Sequence, residues 1–299
     1  MVDYLNAEIA HARALGFADP TITRLGSALQ RVELVEGLKG IDLRVYLDGE
    51  IQCSSDDEYR YHELLVHPAM ATGARRVLVV GGGTGNVVRE LVRHRGLEQV
   101  VLVDPDEAIT AAAATHPALV ALNGGALHDE RVDVVHADAT RWVRDQPPGG
   151  FDVAVLDLPD PATAQLAGLY SAEFLGAVAQ LLVPGGRMVA QACSPWLAPR
   201  VFWCEVRTAR LVRERVIALW THVPSFGEWG FHLSSDDPAF APAVPDGLTL
   251  RWLTPRALEA AMVIPADRRE ALYPDVRPTT EADPVVLELF HQSLPWVLS

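Results

Sequence analysis

A glycine run and four aspartates carry the chemistry legible in this chain. Gly81-Gly82-Gly83-Thr84-Gly85 follows the apolar run Val77-Leu78-Val79-Val80. Gly81, Gly83 and Gly85 let the backbone take positive φ and come close to a ligand. Asp104 ends the next apolar run, Val100 to Val103. An acidic residue about 20 positions beyond such a turn can accept hydrogen bonds from ribose hydroxyls. Asp138 follows Val132-Asp133-Val134-Val135 and could accept from an adenine amino group. Each aspartate alone is equally a helix cap, but three successive strand ends carrying this series fit a nucleoside. A dinucleotide fingerprint wants glycine or alanine where Asn86 and Val88 stand, and a phosphate-cradling loop wants a Gly-Lys pair that is absent.

The fourth strand-like run, Asp152 to Leu156, ends at Asp157-Leu158-Pro159-Asp160-Pro161. Two prolines stiffen this segment and keep it out of a helix, so both carboxyls can face one cleft. Such a pair can hold a cationic amine and take its proton. An alkylamine with a lysine-like pKa near 10.4 is protonated at pH 7, and freeing its lone pair costs roughly 4–5 kcal/mol. A positioned base lowers that barrier. For either aspartate taken alone, turn-forming Asp-Pro chemistry accounts for it. Tyr61-His62-Glu63 reads by itself as the start of an acidic amphipathic helix. No Cys or His cluster has zinc spacing, and no Gly-x-Ser-x-Gly elbow is present.

These residues need a scaffold, and the hydrophobic pattern predicts one. Arg31 to Val35 and Leu43 to Leu47 alternate polar and apolar residues, as half-buried strands do, and Asp48-Gly49 is a hairpin-turn dipeptide. Residues 1–72 are therefore expected to form an N-terminal helix and a small antiparallel β domain. From residue 73 to about 235, apolar runs alternate with helical patterns, including Asn86 to His94. Arg187 to Ala190 follows the turn Pro184-Gly185-Gly186. Strands buried on both faces and separated by helices imply a doubly wound, Rossmann-like α/β fold with a parallel sheet across residues 73–299. Ligands of such sheets bind beyond the carboxyl ends of the strands, where the unusual residues lie. Helical patches at Pro255 to Met262 and Asp283 to Phe290, the latter ending in a short tail, complete the chain.

Composition narrows the partners. With 299 residues, 49% hydrophobic, the chain can bury a sizeable core. Its formal charge of −14 and lack of basic stripes argue against nucleic acid and suit a small cationic substrate, although acidity also simply aids solubility. No apolar run approaches the roughly 20 residues of a membrane span. The start, Met1 to Leu5, lacks the regions of a signal peptide. Cys53, Cys193 and Cys204 read as reduced, buried thiols of a cytoplasmic protein.

Leu47-Asp48-Gly49-Glu50-Ile51-Gln52, Asp57-Glu58, Tyr61-His62-Glu63 and His67-Pro68 resemble the signature of the spermidine synthases, the polyamine aminopropyltransferases. The glycine turn, Asp104, Asp138-Ala139, Asp157 to Pro161, Leu169-Tyr170, Phe174 and Gln191 follow in the family's order, and Pro224 to Phe231 resembles its acceptor-side loop. The likeness runs from about residue 25 to 235, and is strongest to a bacterial branch often fused to membrane helices. It implies a class I methyltransferase-type sheet, a homodimer and no metal. It also implies donor binding by Gln30, His62, the glycine turn, Asp104, Asp138 and Ala139. Asp157 is the implied proton acceptor, and Tyr61, Asp160 and Phe226 the implied acceptor-amine contacts. The implied reaction is attack of a putrescine-like amine on the propyl carbon beside the sulfonium of decarboxylated S-adenosylmethionine, releasing methylthioadenosine.

Three positions depart from that pattern. Thr84 stands where the family turn usually has an aspartate facing the donor's amino group, and a lost charged hydrogen bond costs about 1.5–3 kcal/mol. Leu29 and Phe226 stand where tyrosines are common. These changes leave two alternatives: a transferase using intact S-adenosylmethionine, by N-methylation or attack at the methionine chain, and a non-catalytic binding module.

Overall fold

The computed structural model describes residues 4–71 and 73–297; Thr72, at the expected boundary, and the first three and last two residues lie outside these. Helix α1 (Tyr4–Ala14) precedes four strands, β1 (Thr21–Leu25), β2 (Val32–Glu36), β3 (Arg44–Leu47) and β4 (Glu50–Ser54), paired in the order β1-β2-β3-β4. All three pairings are antiparallel. Asp48 and Gly49 both take positive φ in the β3–β4 turn, as that dipeptide prefers. One face of this sheet buries Val32, Leu34, Leu43, Val45 and Cys53 against Ile109, Ala112 and Leu119. Leu5, Ile9 and Ala12 of α1 cover Val35, Leu38 and Tyr46. The strand β1 carries no alternation strong enough to be seen in the sequence, and it joins the sheet through its edge pairing with β2.

Helix α2 (Glu58–Met70) leads into the large sheet. Its strands are β5 (Arg76–Gly81), β6 (Gln99–Val103), β7 (Val132–Val135), β8 (Phe151–Asp157), β9 (Leu182–Ala192), β10 (Arg215–Val223) and β11 (Gly227–Ser235). The order is β10-β11-β9-β8-β5-β6-β7. Strands β5 to β9 run parallel to one another, and the order in which the chain adds strands switches sides at β5, with β6 on one side and β8 on the other. The β10–β11 hairpin is antiparallel to itself and to β9, so the sheet is mixed where the sequence pattern implied a purely parallel one. Its residues, such as Trp220, His222, Trp229 and His232, interrupt the apolar runs that mark a doubly buried strand.

In β5, Val77 and Val79 enter one core layer while Leu78 and Val80 enter the opposite one. That two-sided burial explains the unbroken valine and leucine run. Helices α3 (Asn86–Val92), α4 (Glu107–Thr115), α5 (Pro117–Asn123), α6 (Ala139–Arg144), α7 (Ala164–Gly168), α8 (Ala172–Gln180) and α9 (Pro199–Val212) occupy the connections. The helix after the glycine turn stops at Val92, short of the expected His94. Helix α10 (Pro255–Ala261) follows, and α11 (Val285–Val297) continues past the expected end at Phe290.

Helix α2 packs on β8, β9 and β10 of the large sheet and is unusually polar for so buried an element. The Glu63 side chain is 1% exposed. Its carboxyl accepts from the backbone N–H groups of Arg251 (2.6 Å), Trp252 (2.9 Å) and Leu253 (2.7 Å), fixing the chain that leads to α10. Buried Arg187 donates to the carbonyls of Pro68 (3.1 Å) and Ala69 (3.4 Å) at the other end of α2, where the helix dipole favours a cation. We expect Glu63→Ala, which strands three buried N–H groups, to lower the free energy of unfolding by about 3 kcal/mol or more, read from the midpoint of urea denaturation at unchanged slope.

Candidate active site

The glycine turn joins β5 to α3 at the carboxyl edge of the sheet. Gly81, Gly82 and Gly85 take φ of 76°, 71° and 83°, a region that side chains with a Cβ avoid. Space forbids substitution as firmly as φ does. A Cβ on Gly81 would lie 2.2 Å from the Asp157 carbonyl oxygen, and one on Gly83 would lie 2.7 Å from Asp104 Oδ2 and 2.8 Å from Ile109. A Cβ on Gly82 would meet Asp157 Oδ2 at 3.0 Å, so that carboxyl oxygen faces the turn. Thr84 is half-buried, and its carbonyl accepts from Asn123 Nδ2 at 3.0 Å.

Asp104 follows β6 and is 8% exposed. Its Oδ2 accepts from Gly83 N (3.0 Å) and its Oδ1 from Asp106 N (2.8 Å). Burial lifts its carboxyl above the usual range, against these two hydrogen bonds and with the help of the Asp106 and Asp157 charges. Each oxygen keeps a second lone pair for a ligand hydroxyl. Asp106 was not singled out from the sequence, yet it joins the two sheets. Its Oδ2 accepts from Ser27 Oγ (2.7 Å) and Gln30 Nε2 (2.8 Å), and its Oδ1 caps α4 at Ala108 N (3.1 Å). Gln30 is thereby tied from the small domain to the segment between β6 and α4. The Asp104-Pro105-Asp106 sequence was the available signal. Asp138 is exposed and caps α6, accepting from Arg141 N at 3.2 Å; Ala139 behind it is buried.

Asp157 ends β8, paired with Gly81 of β5. Its Oδ1 accepts from the Tyr61 hydroxyl at 2.6 Å, across 96 residues of sequence. Burial raises the Asp157 carboxyl, while the charge of His62 and the Tyr61 hydrogen bond pull it down. Burial raises the Tyr61 phenol too, and both Asp157 and Asp160 push it further. His62 is 4% exposed. Its Nδ1 lies 2.7 Å from Glu58 Oε2 and 2.8 Å from the Glu58 carbonyl. Burial opposes a charge on this imidazole, but the hydrogen bond and charge of Glu58, with Asp157, outweigh it and raise its pKa. Glu58 in turn receives both terminal nitrogens of Arg89 at 2.9 Å, a bidentate pair of the strong kind.

Asp160 lies beside Asp157 on the same loop. Burial pushes its carboxyl up to about 7, offset by the Cys193 thiol and reinforced by Glu50 of β4. Cys193 Sγ is 3.5 Å from Asp160 Oδ1, so this thiol is buried, as expected, but also touches the site. The loop is held by Gln191, 2% exposed. Gln191 Nε2 donates to the Leu158 carbonyl (2.8 Å) and to the Tyr170 hydroxyl (2.5 Å), and the hydroxyl donates to the Pro159 carbonyl (2.8 Å). Gln191 Oε1 accepts from Trp229 Nε1 at 2.9 Å. Phe226, on the β10–β11 turn, packs edge-on against Trp229 (5.0 Å) and Tyr61 (6.2 Å). The glycine turn thus meets both Asp104 and Asp157, Asp157 is joined to Tyr61 and Tyr61 to Phe226, and Asp138 stands apart as the exposed cap of α6. Among the described residues, no cluster suited to a metal ion occurs.

Gly83→Ala should weaken nucleoside binding at least tenfold, because the new methyl group displaces Asp104. Calorimetric titration with methylthioadenosine would measure this, and an unchanged affinity would place the nucleoside elsewhere.

The chain matches the family model of the spermine/spermidine synthase domain over residues 58–242. It is 45% identical over 276 residues to a polyamine aminopropyltransferase of Mycobacterium tuberculosis, covering 91% of this chain and 51% of that protein. To polyamine aminopropyltransferase 1 of Streptomyces coelicolor it is 40% identical over 282 residues, covering 93% and 52%. It thus spans about half the length of these curated relatives. A spermidine synthase crystallised with the transition-state analogue AdoDATO superposes with a TM-score of 0.73 at 26% identity, covering 82% of this chain and 87% of that one. The spermidine synthase of Thermotoga maritima shares the fold, with a TM-score of 0.71 at 24% identity over 82% and 85%. Among the described residues, no helix is long and apolar enough to cross a membrane. A sheet that places two carboxyls and a tyrosine beside a nucleoside-type turn, and a domain match across 58–242, lead to one conclusion: this chain belongs to the spermine/spermidine synthase domain family.

Proposed function

We propose that the cleft transfers an aminopropyl group from decarboxylated S-adenosylmethionine to a small diamine of the putrescine class. The observation that carries this reading is the Tyr61–Asp157 hydrogen bond of 2.6 Å, with Asp157 Oδ2 left facing the glycine turn. The donor's ribose would hydrogen-bond to Asp104, its adenine to Asp138, and its sulfonium would lie over the turn. The amine arrives as an ammonium, held by Asp160 and Asp157 beside Tyr61. Asp157 takes one proton, which frees the nitrogen lone pair. That nitrogen attacks the propyl carbon next to sulfur. The new C–N bond forms as the C–S bond breaks, and the electron pair stays on sulfur in neutral methylthioadenosine. Tyr61 holds the Asp157 carboxyl in one rotamer, so the oxygen nearest the donor is the one that receives the proton. Phe226 and Trp229 close the amine side against water. The family's homodimer and a cytoplasmic setting accompany this reading.

A second reading has its own observation. Thr84 brings no charge to the turn, and His62 is poised to carry a positive one. That pairing suits a donor whose tail bears a carboxylate, namely intact S-adenosylmethionine. Calorimetry with both donors separates the two: tighter binding of the decarboxylated form removes the second reading.

Incubation with decarboxylated S-adenosylmethionine and a panel of diamines should release methylthioadenosine, and no release with any amine would overturn the proposal. Asp157→Asn should lower kcat about 10²–10⁴-fold with donor affinity retained. The pH dependence follows from Asp160. A carboxyl raised to about 7 is neutral below that pH and cannot hold a cation. The kcat/KM for the amine should therefore climb with pH up to about 7, bend there, and lose that bend in Asp160→Asn. Stability runs the opposite way. The folded protein keeps a proton that the unfolded chain releases near pH 4, so this group costs increasing stability as pH rises from about 4 to 7.

A further inference from the structure

Asp57 occupies the N-cap position of helix α2. An aspartate there ordinarily accepts from the helix's own first N–H groups, which is worth about 1 kcal/mol. Asp57 makes no such bond. Its carboxyl is instead turned onto a serine 168 residues away: Oδ2 accepts from Ser225 N at 2.6 Å and Oδ1 from Ser225 Oγ at 2.8 Å. The side chain is 5% exposed, so both bonds lie in a largely dry setting where they are strong. Two carboxyl oxygens on two donors of one residue fix both position and orientation, as a fork does.

Ser225 belongs to the turn between β10 and β11, closed by Phe226 N donating to the Val223 carbonyl at 3.0 Å. Gly227, with φ of 87°, completes it. Phe226 is the ring laid against Tyr61 and Trp229. The turn hangs from an antiparallel hairpin at the sheet margin, where β10 is an edge strand, and such turns are mobile unless tied down. The chain Asp57–Ser225–Phe226–Tyr61–Asp157 runs from the start of α2, over the amine end of the cleft, and back to the same helix.

We propose that Asp57 is a positioning residue that latches the Val223–Gly227 turn over the amine subsite, setting amine affinity without touching substrate. The proposal rests on the amine reading of the cleft. A helix gives up its own cap because the carboxyl is worth more across the cleft mouth than at its own N-terminus. The donor end is tied down separately, through Asp106 with Ser27 and Gln30, so the latch acts on one substrate and spares the other.

Two readouts test it. By hydrogen exchange of the apo protein, Asp57→Ala should speed exchange of the 220–230 segment about tenfold or more, leaving β5 and β6 unchanged. In turnover, Asp57→Ala should raise KM for the amine about 10–100-fold, the range of a lost charged hydrogen bond, with the calorimetric Kd for methylthioadenosine within twofold of wild type. Ser225→Ala, which keeps the backbone bond, should give an intermediate KM and tests the latch if Asp57→Ala folds poorly. Unchanged exchange at 220–230 would overturn the latch, as would amine KM and nucleoside Kd worsening together in both variants. Absence of turnover in the wild-type protein with every amine would overturn the amine reading instead, and faster exchange would then still establish the tie.

Discussion

A carboxyl held at the floor of a cleft needs partners on every side, and in this chain that carboxyl is Asp157. Water, its usual partner, is partly excluded, and burial pushes its pKa above the usual carboxylate range. Tyr61 supplies a hydroxyl and His62 supplies a nearby charge. His62 in turn can be charged only because Glu58 is against it, and Glu58 stays ionised through His62 and the two-pronged contact with Arg89. Arg89 lies on α3, directly after the glycine turn. The row Arg89–Glu58–His62–Asp157 thus links α3, which follows the glycine turn, to the end of β8. Removing one member leaves the next as an unpaired buried charge, which is far costlier than losing the pair whole.

Helix α2 supplies the middle two members of this row, Glu58 and His62, which is part of why so buried a helix is so polar. Asp57, Glu58, His62 and Glu63 are each under 6% exposed. Asp57, Glu58 and Glu63 are satisfied by segments distant in sequence, the β10–β11 turn, α3 and the chain before α10, and His62 by Glu58 one turn back. Hydrophobic packing against β8, β9 and β10 sets the depth of the helix, and these polar ties set its rotation. The rotation matters because Tyr61 must face Asp157 from this helix, and a turn of one residue, about 100°, would carry the hydroxyl away.

Much of this was legible beforehand, for a physical reason. Strands β5, β6 and β8 are buried on both faces, so their apolar runs are uninterrupted and the residues that end them stand out. Asp104, Asp157 and the glycines were found that way. The β10–β11 hairpin was not, because its aromatic and histidine residues serve the cleft rim and an edge, and they blur the period. Residues that act on other residues were also hidden. Asp57 and Glu58 look like ordinary acids at a helix start, and Asp106 like a turn residue after proline. Their partners, Ser225, Arg89 and Gln30, lie 31 or more positions away, and no local pattern encodes such distances. Asp138 was read both as a cap and as a ligand contact; its capping bond is present, and it leaves the other carboxyl oxygen toward the open flank.

The two ends of the cleft are built differently. On the proposed assignment of nucleoside and amine, the nucleoside end comes from adjacent strand ends of one sheet, with glycines so tightly enclosed that a single methyl group collides with Asp104 or Asp157. The amine end is assembled from α2, the loop after β8 and an edge hairpin, joined by a few hydrogen bonds and ring contacts. A change in the first disturbs the sheet itself. A change in the second, such as phenylalanine at 226 or the placement of its turn, alters one wall and leaves the core untouched. On that assignment, affinity for the donor's nucleoside is bound to the stability of the fold, while the choice of amine rests on contacts that can vary without unfolding it. The departure at Thr84 sits between these regimes: it lies on the rigid turn, yet it is half-buried among tightly enclosed glycines and is held there through its carbonyl by Asn123, so its side chain can differ while the turn's backbone stays as it is.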